Sequence, residues 1–171
     1  GYQADFVFIE TANAEVYTDM MREAIDGALA SCLLEPDAID AIHVGNAFGE
    51  LYRGQSHLAA MVAQVKPEFF GKPAMRHEAA CASSSLGVLS ATAEIEAGRY
   101  DCIMVLGVEE EKNLPGDQAS QVQNAASWQG HEGLDCKFVW PAVFGRIAME
   151  YEERYGLFFL NVTPTTEINT S

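Results

Sequence analysis

Basic residues are scarce in this sequence: 10 Lys and Arg face 25 Asp and Glu, a formal net charge of -15 over 171 residues. A protein that grips nucleic acid needs a stripe of cations to neutralise phosphates, so that class of function is excluded. The same deficit works against any polyanionic ligand unless a few cations act locally against the global field. Apolar runs long enough to span a bilayer are missing, and no signal peptide is expected at the start. The four cysteines, Cys32, Cys81, Cys102 and Cys136, contain no CxxC pair, which removes the usual zinc and dithiol spacings, and nothing marks a disulfide framework. Cys32 and Cys102 fall in apolar patterns and read as small buried hydrophobes. We therefore expect a reducing, cytoplasmic setting, with no metal site, no membrane insertion and no nucleic-acid partner.

What is present suffices for one sizeable core, since 49% of the residues are hydrophobic. Residues 5–10 read as a strand. Over residues 16–33, Met20, Met21, Ala24, Ile25, Ala28, Leu29 and Cys32 recur at steps of three and four, the stripe of an amphipathic helix that stops before Pro36. Residues 41–45 are a short apolar run bounded by turn residues, a buried strand. Residues 46–54, rich in glycine and aromatics, read as a loop, and 58–65 as a helix ended near Pro67. Residues 74–80 follow a proline and read as a strand entering the core. The small-residue segment 82–97 reads as a helix closed by Gly98, and 101–108 as a strand covered on both faces. Strands alternating with helices predict an α/β fold, with a mostly parallel sheet and right-handed crossovers. Residues 109–134 turn to Gly, Gln, Asn, Ser and Asp and are expected to lack regular packing, whereas 139–155 returns to helical spacing before Gly156. The expected organisation is a core at 1–108, a loop region and helix at 109–156, and a disordered tail at 157–171, where the chain ends early or continues in foreign sequence. Two Asn-X-Thr/Ser triplets in that tail, at Asn161 and Asn169, carry little meaning without a secretory signal.

Cys81 stands at the junction of strand 74–80 and helix 82–97. A helix N-terminus presents unpaired N–H groups and the positive end of its dipole, and both favour a thiolate over a thiol. Ser83, Ser84 and Ser85 read as caps for those first-turn donors rather than as nucleophiles. Alternation along the strand puts His77, Ala79 and Cys81 on one side. His77 is thus placed to tune the thiol, although a core or interface histidine is the better reading of it. His43 and His57 have no paired base within sequence reach, and Glu109, Glu110 and Glu111 read as a solvated acidic run. Ala82, Gly87, Val88, Leu89, Ala91, Ala93, Ile95 and Ala97 ring the helix and leave no broad polar face, which predicts a buried central helix.

The segment His77-Glu-Ala-Ala-Cys-Ala-Ser-Ser-Ser-Leu-Gly87, with Ala93-Glu-Ile-Glu-Ala-Gly-Arg-Tyr-Asp101 and Val105-Leu-Gly-Val-Glu-Glu110, resembles the nucleophile region of the thiolase family. Asp40-Ala-Ile-His-Val-Gly-Asn46 is similar to the strand and turn that precede it there. Trp140-Pro-Ala-Val-Phe-Gly-Arg-Ile-Ala-Met149 is similar to the matching helix of the sterol-carrier-type branch. The resemblance runs over residues 16–156. It implies a thiolase-like, layered α-β-α fold with an inserted loop region, starting at 109, that covers acyl-coenzyme A. Family members are much longer, so the resemblance covers only their N-terminal half.

The implied activity is acyl transfer. Cys81 attacks the carbonyl of an acyl- or 3-ketoacyl-coenzyme A, in cleavage or Claisen condensation, and a second thiol or carbanion resolves the acyl-enzyme. The resemblance assigns the Cys81 backbone amide to the oxyanion hole. Coenzyme A enters as substrate, no cofactor is expected, and Lys112, Lys137 and Arg146 are the candidate cations for it. In the family a histidine of a Gly-His-Pro motif activates the cysteine, and a second cysteine in a Cys-X-Gly motif moves the proton. Neither motif occurs here, and Gly130-His131-Glu132 lacks the proline and precedes helix 139–155. Three readings follow: an acyltransferase chain that needs a C-terminal half, a non-catalytic thiolase-fold subunit or scaffold binding acyl-coenzyme A or a partner enzyme, or a decarboxylating condensing enzyme. A homo-oligomer or a partner chain is expected, by analogy with the family and because the helix at 82–97 would otherwise show a bare apolar face.

Overall fold

Among the described residues, strand β1 (Ala41–Gly45) is the middle of a three-stranded parallel sheet, flanked by β2 (Ala74–His77) and β3 (Ile103–Gly107). Ile42 is in register with Ala74 and Met104, and Gly45 with His77 and Gly107. Parallel neighbours cannot be joined by a tight hairpin, so helical segments fill each return, as the alternation predicts. The computed structural model describes residues 16–132 and 136–156, so the predicted strand at 5–10 and tail at 157–171 lie outside the described residues. Two units divide the chain, Gly1–Asn113 and Leu114–Ser171.

Successive side chains along a strand point to opposite faces, and this sorts the sheet of the first unit. Ile42, Val44, Met104 and Leu106 share one face with α1 (Val16–Cys32) and α3 (Leu58–Val65). The α1 stripe lands there through Tyr17, Met21, Ile25 and Leu29, one turn apart and all buried, while Leu58, Val62 and Val65 come from α3. Fully burying a Leu, Ile or Met side chain contributes roughly 1.5–3 kcal/mol, so this face dominates the stability of the unit.

The opposite face carries His43 and Gly45, Met75 and His77, and Val105 and Gly107. Helix α4 (Ser83–Glu96) lies on it, which completes three layers, helices, sheet and helix. The approach depends on glycine: a Cβ at Gly45 would sit 2.4 Å from Ser84 Oγ and 2.7 Å from Ser84 Cα, and one at Gly107 would sit 2.9 Å from the same Oγ. The helix reciprocates with Gly87, where a Cβ would meet Val105 Cγ1 at 3.2 Å and His77 Cδ2 at 3.6 Å. Ser83, Gly87 and Ala91, spaced by four, are the buried residues of α4. Its other side is bare, with Leu86, Val88, Leu89 and Ile95 between 39% and 67% exposed. Among the described residues, the apolar circumference read from the sequence is therefore covered on the sheet side alone.

Four local expectations are corrected. The stretch 46–54 holds a short helix, α2 (Gly49–Arg53), closed by Gly54 in the left-handed conformation. Strand β2 ends at His77 rather than at residue 80, because Ala80 turns to a left-handed φ of 47° and starts the 3-10 turn Ala80–Ala82. Cys32 is exposed, on the solvent side of the last turn of α1, and Cys102 is only half-buried against the core. In the second unit, a helix α5 (Gly116–Gln123) forms where no regular packing was expected. Ser120 explains part of it: its Oγ is buried and accepts the Val139 N–H at 3.2 Å, at the start of α6 (Val139–Tyr155). Trp140 Nε1 adds a bond to the Gln123 carbonyl at 2.9 Å. Helix α6 ends at Gly156 as predicted, with that glycine at φ 65°.

Candidate active site

All three strands point their carboxyl ends the same way, and in open parallel sheets that edge is where ligands bind. Asn46 follows β1 there, the turn carrying Cys81 follows β2, and Glu109 follows β3. Cys81 is exposed, in the middle of the Ala80–Ala82 turn that runs straight into α4. The sequence places this cysteine at a helix start, and it lies there.

Side chains on either side hold the turn. Glu78 Oε1 accepts the Ala80 N–H at 2.6 Å, while Ser83 Oγ accepts the Ala79 N–H at 3.0 Å and donates to the Ala80 carbonyl at 2.6 Å. These bonds offset the cost of a left-handed alanine, about 1 kcal/mol. Ser83 thus serves the turn and not the helix. The N-cap residue of α4 is Ala82, which brings no side-chain hydrogen bond, so the expectation that serine hydroxyls cap the first-turn donors is corrected. Since β2 stops at His77, strand alternation does not carry through to Cys81 either.

A buried polar chain runs beneath α4. His43 is completely buried, its Nε2 is 3.0 Å from Glu94 Oε2, and its Nδ1 is 2.8 Å from His77 Nε2. The two imidazoles stack with centroids 4.8 Å apart. The other Glu94 oxygen lies 3.7 Å from Arg99. Burial, with the neighbouring His43 adding to it, pushes the His77 pKa below that of an ordinary histidine, while Glu94 works the other way. Sequence reasoning left His43 without a partner. Its signal was a polar residue inside the apolar run 41–45, because a buried imidazole must find hydrogen bonds. The partner on α4, distant in sequence, had no signal.

A second network ties the loop after β1 to the end of β3. Asn46, 2% exposed, donates from Nδ2 to the Val108 carbonyl at 2.8 Å and to Glu109 Oε1 at 2.9 Å, and its Oδ1 accepts the Gly49 N–H at 3.0 Å. Glu109 Oε2 accepts the Ala47 and Phe48 N–H groups at 2.6 and 3.3 Å. Desolvation nevertheless pushes the Glu109 carboxyl up, and it raises the nearby Tyr17 phenol to about 12, with Glu109 as the second cause. Glu110 is buried against Arg53 Nε at 2.6 Å. Glu109 and Glu110 are therefore structural, which corrects the expectation of a solvated acidic run.

Of the candidate cations, Lys112 is exposed near the end of the first unit, and Lys137 and Arg146 are exposed in the second. Lys137 Nζ sits 5.7 Å from the Phe138 ring centroid, and Arg146 donates to Cys136 Sγ at 3.6 Å. Arg146 shares a groove on α6 with Glu150, Glu152 and Glu153, so an anion arriving there meets three carboxylates. Among the described residues, no helix is long and apolar enough to cross a membrane, and no group of three His, Cys, Asp or Glu is arranged to hold a metal ion.

Residues 7–155 match the family model described as Thiolase, N-terminal domain. An acetyl-CoA acetyltransferase of Methanocaldococcus jannaschii is 30% identical over 82% of this chain and 35% of its own length. One from Methanothermobacter thermautotrophicus is 28% identical, over 82% of this chain and 36% of its own. Sterol carrier protein 2 of Bos taurus is 26% identical over 82% of this chain and 26% of its own length. The chain thus spans about a third of the length of the curated relatives it matches.

Proposed function

The chain belongs to the thiolase family, and on that premise we propose that it is the nucleophile-bearing part of an acyl-coenzyme A acyltransferase that forms an acyl thioester on Cys81. The observation that supports this most is the placement of Cys81: exposed, at the carboxyl edge of a parallel sheet, in a pinned turn that opens into a helix with no side-chain cap.

In this reading Cys81 gives up its proton and its Sγ attacks the thioester carbonyl. The tetrahedral oxyanion is held by the Cys81 backbone amide and by the field at the start of α4. Collapse expels the coenzyme A thiolate, which takes up a proton, and leaves acyl-Cys81 for a second thiol or carbanion to resolve. Lys112, Lys137 and Arg146 are the residues we would first test for contact with the coenzyme A phosphates. The groups that resolve the acyl-enzyme, and the cover for the bare side of α4, come in this reading from a C-terminal half or a partner chain, in a homo-oligomer or a mixed assembly. A compartment that keeps thiols reduced, such as the cytoplasm, suits the chemistry.

The test is incubation of the full chain with acetyl-coenzyme A, followed by intact mass and peptide mapping. One acyl group on the Cys81 peptide, lost after iodoacetamide treatment and in Cys81→Ser, is the expected result. Slow, equal modification of all four cysteines would overturn the proposal. The sterol-carrier relative favours a second reading, a non-catalytic acyl-coenzyme A-binding subunit, which would show coenzyme A binding with no acyl capture. Carbon dioxide release from a malonyl thioester would instead move the chain to the decarboxylating condensing class.

A further inference from the structure

The amino edge of the sheet, opposite the edge that carries Cys81, shows two large apolar side chains to solvent: Leu33 is 92% exposed and Phe70 81%. Leu33 follows the last residue of α1 and stands just ahead of the 3-10 turn Pro36–Ala38 that leads into β1, while Phe70 leaves the 3-10 turn Pro67–Phe69 that leads into β2. Those strands are parallel neighbours, and the Ile42 N–H donates to the Pro73 carbonyl at 2.9 Å, so the two approaches arrive side by side. Lysines tie them together. Lys72 Nζ donates to the Pro36, Asp37 and Ile39 carbonyls, and Lys66 Nζ lies 2.5 Å from Asp26 Oδ1 on α1.

Among the described residues, neither side chain serves the core. Leu33 holds a left-handed φ of 55° directly after a helix, where glycine is the residue without a Cβ penalty, and its side chain returns no buried area for that cost. Phe70 stands next to Phe69, which is 1% exposed and makes the core contact of the same turn. Leu34 extends the exposed apolar surface. The charges around it that remain open are of one sign. Glu35, Asp37 and Glu68 are exposed, whereas both lysines are already engaged. The Lys66 pKa is raised by its hydrogen bond to Asp26, and Glu68 and Glu35 add to the effect, which puts both carboxylates near that bridge.

We propose that this amino-edge surface docks a basic, apolar segment of another polypeptide, with Leu33 and Phe70 as its anchors. A partner of that composition sets cations against Glu35, Asp37 and Glu68 while it covers the two side chains. A second copy of this chain would bring the same carboxylates against themselves in a two-fold contact, and an anionic lipid surface would be repelled by them. The surface lies at the other end of the strands from Cys81, so the docking stands apart from the acyltransferase reading and does not depend on it.

Random short peptides displayed on phage, selected on the full chain and counter-selected on a variant carrying Leu33→Gly and Phe70→Ser, test this. Enriched peptides are expected to combine Lys or Arg with Leu, Phe or Trp, and their synthetic forms should bind Leu33→Gly roughly tenfold more weakly, the loss typical of a buried anchor. The same substitution should raise the urea midpoint, because glycine accepts the left-handed turn, so weaker binding cannot be laid to a damaged fold. Hydroxyl-radical oxidation of the free chain should mark Leu33 and Phe70 at the rates of open side chains. Binders that ignore both substitutions, binders that are acidic, or no binders at all would overturn the proposal. So would protection of either side chain in the free chain, which would mean that its own residues cover the surface, or self-association that Leu33→Gly abolishes.

Discussion

Replacing Gly45 by alanine should cost about 3 kcal/mol, because the obstacle is backbone. The new methyl carbon would lie 2.7 Å from Ser84 Cα and 2.8 Å from Ser84 N. Carbon atoms in good contact sit roughly 3.5–4.0 Å apart, so the first turn of α4 must retreat by about 1 Å. Overpacking of this kind costs roughly 1–3 kcal/mol, and an obstacle that cannot rotate away selects the upper end. With an m-value of about 2 kcal/mol/M, the urea midpoint should fall by about 1.5 M. Gly107→Ala is the control, since its methyl meets only Ser84 Oγ, at 2.9 Å. It should cost about 1 kcal/mol or less, and Ser84→Ala should restore it. Ser84→Ala should not restore Gly45→Ala, because the Cα and N contacts remain. The alanine variant at Gly45 should also alter the labelling rate of Cys81, which rides on the displaced turn. An unchanged urea midpoint, or full rescue by Ser84→Ala, would refute the claim that α4 rests on the backbone of β1.

Burial lowers the His77 pKa from 6.5, so the unfolded chain binds the proton more readily. Stability present above that value is expected to decline on acidification through the lower folded value, and His77→Gln should flatten the decline in urea titrations at stepped pH. Tyr17 has the opposite sign: raised from 10.0 to about 12, its contribution is complete below the first value and lost as pH rises through the second. Ultraviolet titration should show one late phenol that Tyr17→Phe removes. Glu109→Gln replaces one acceptor oxygen of a carboxylate that receives three N–H donors, and should cost roughly 1–3 kcal/mol in urea melts through the donors it strands.

The helices and strands legible in the sequence are those whose pattern reports their own burial. The stripe of α1, the apolar runs of β1 and β3 and the glycine stops after α4 and α6 are local signals, and each element lies within a few residues of its expected bounds. Helix α2 was hidden because its glycines and aromatics mimic a loop, and α5 because its polar residues carry no stripe; a buried serine and a tryptophan from the next helix stabilise it. At the site, Cys81 and its helix were legible because motif and junction coincide in sequence. His43 and Glu94 were not, because the hydrogen bond joining them depends on which strand face α4 covers, and that is decided by glycines on two strands.

Both hydrogen-bonding neighbours of β1 lie downstream of it, with α2 and α3 before one and α4 before the other. A chain leaving the ribosome therefore delivers β1 before either of the described strands that pair with it, and both of its edges wait for partners: one until β2 emerges, the other until β3 does. Sheets closed by such distant segments assemble slowly and expose sticky edges meanwhile. Recovery after dilution from denaturant should accordingly drop as protein concentration rises, and slower synthesis at low temperature should raise the yield of native chain.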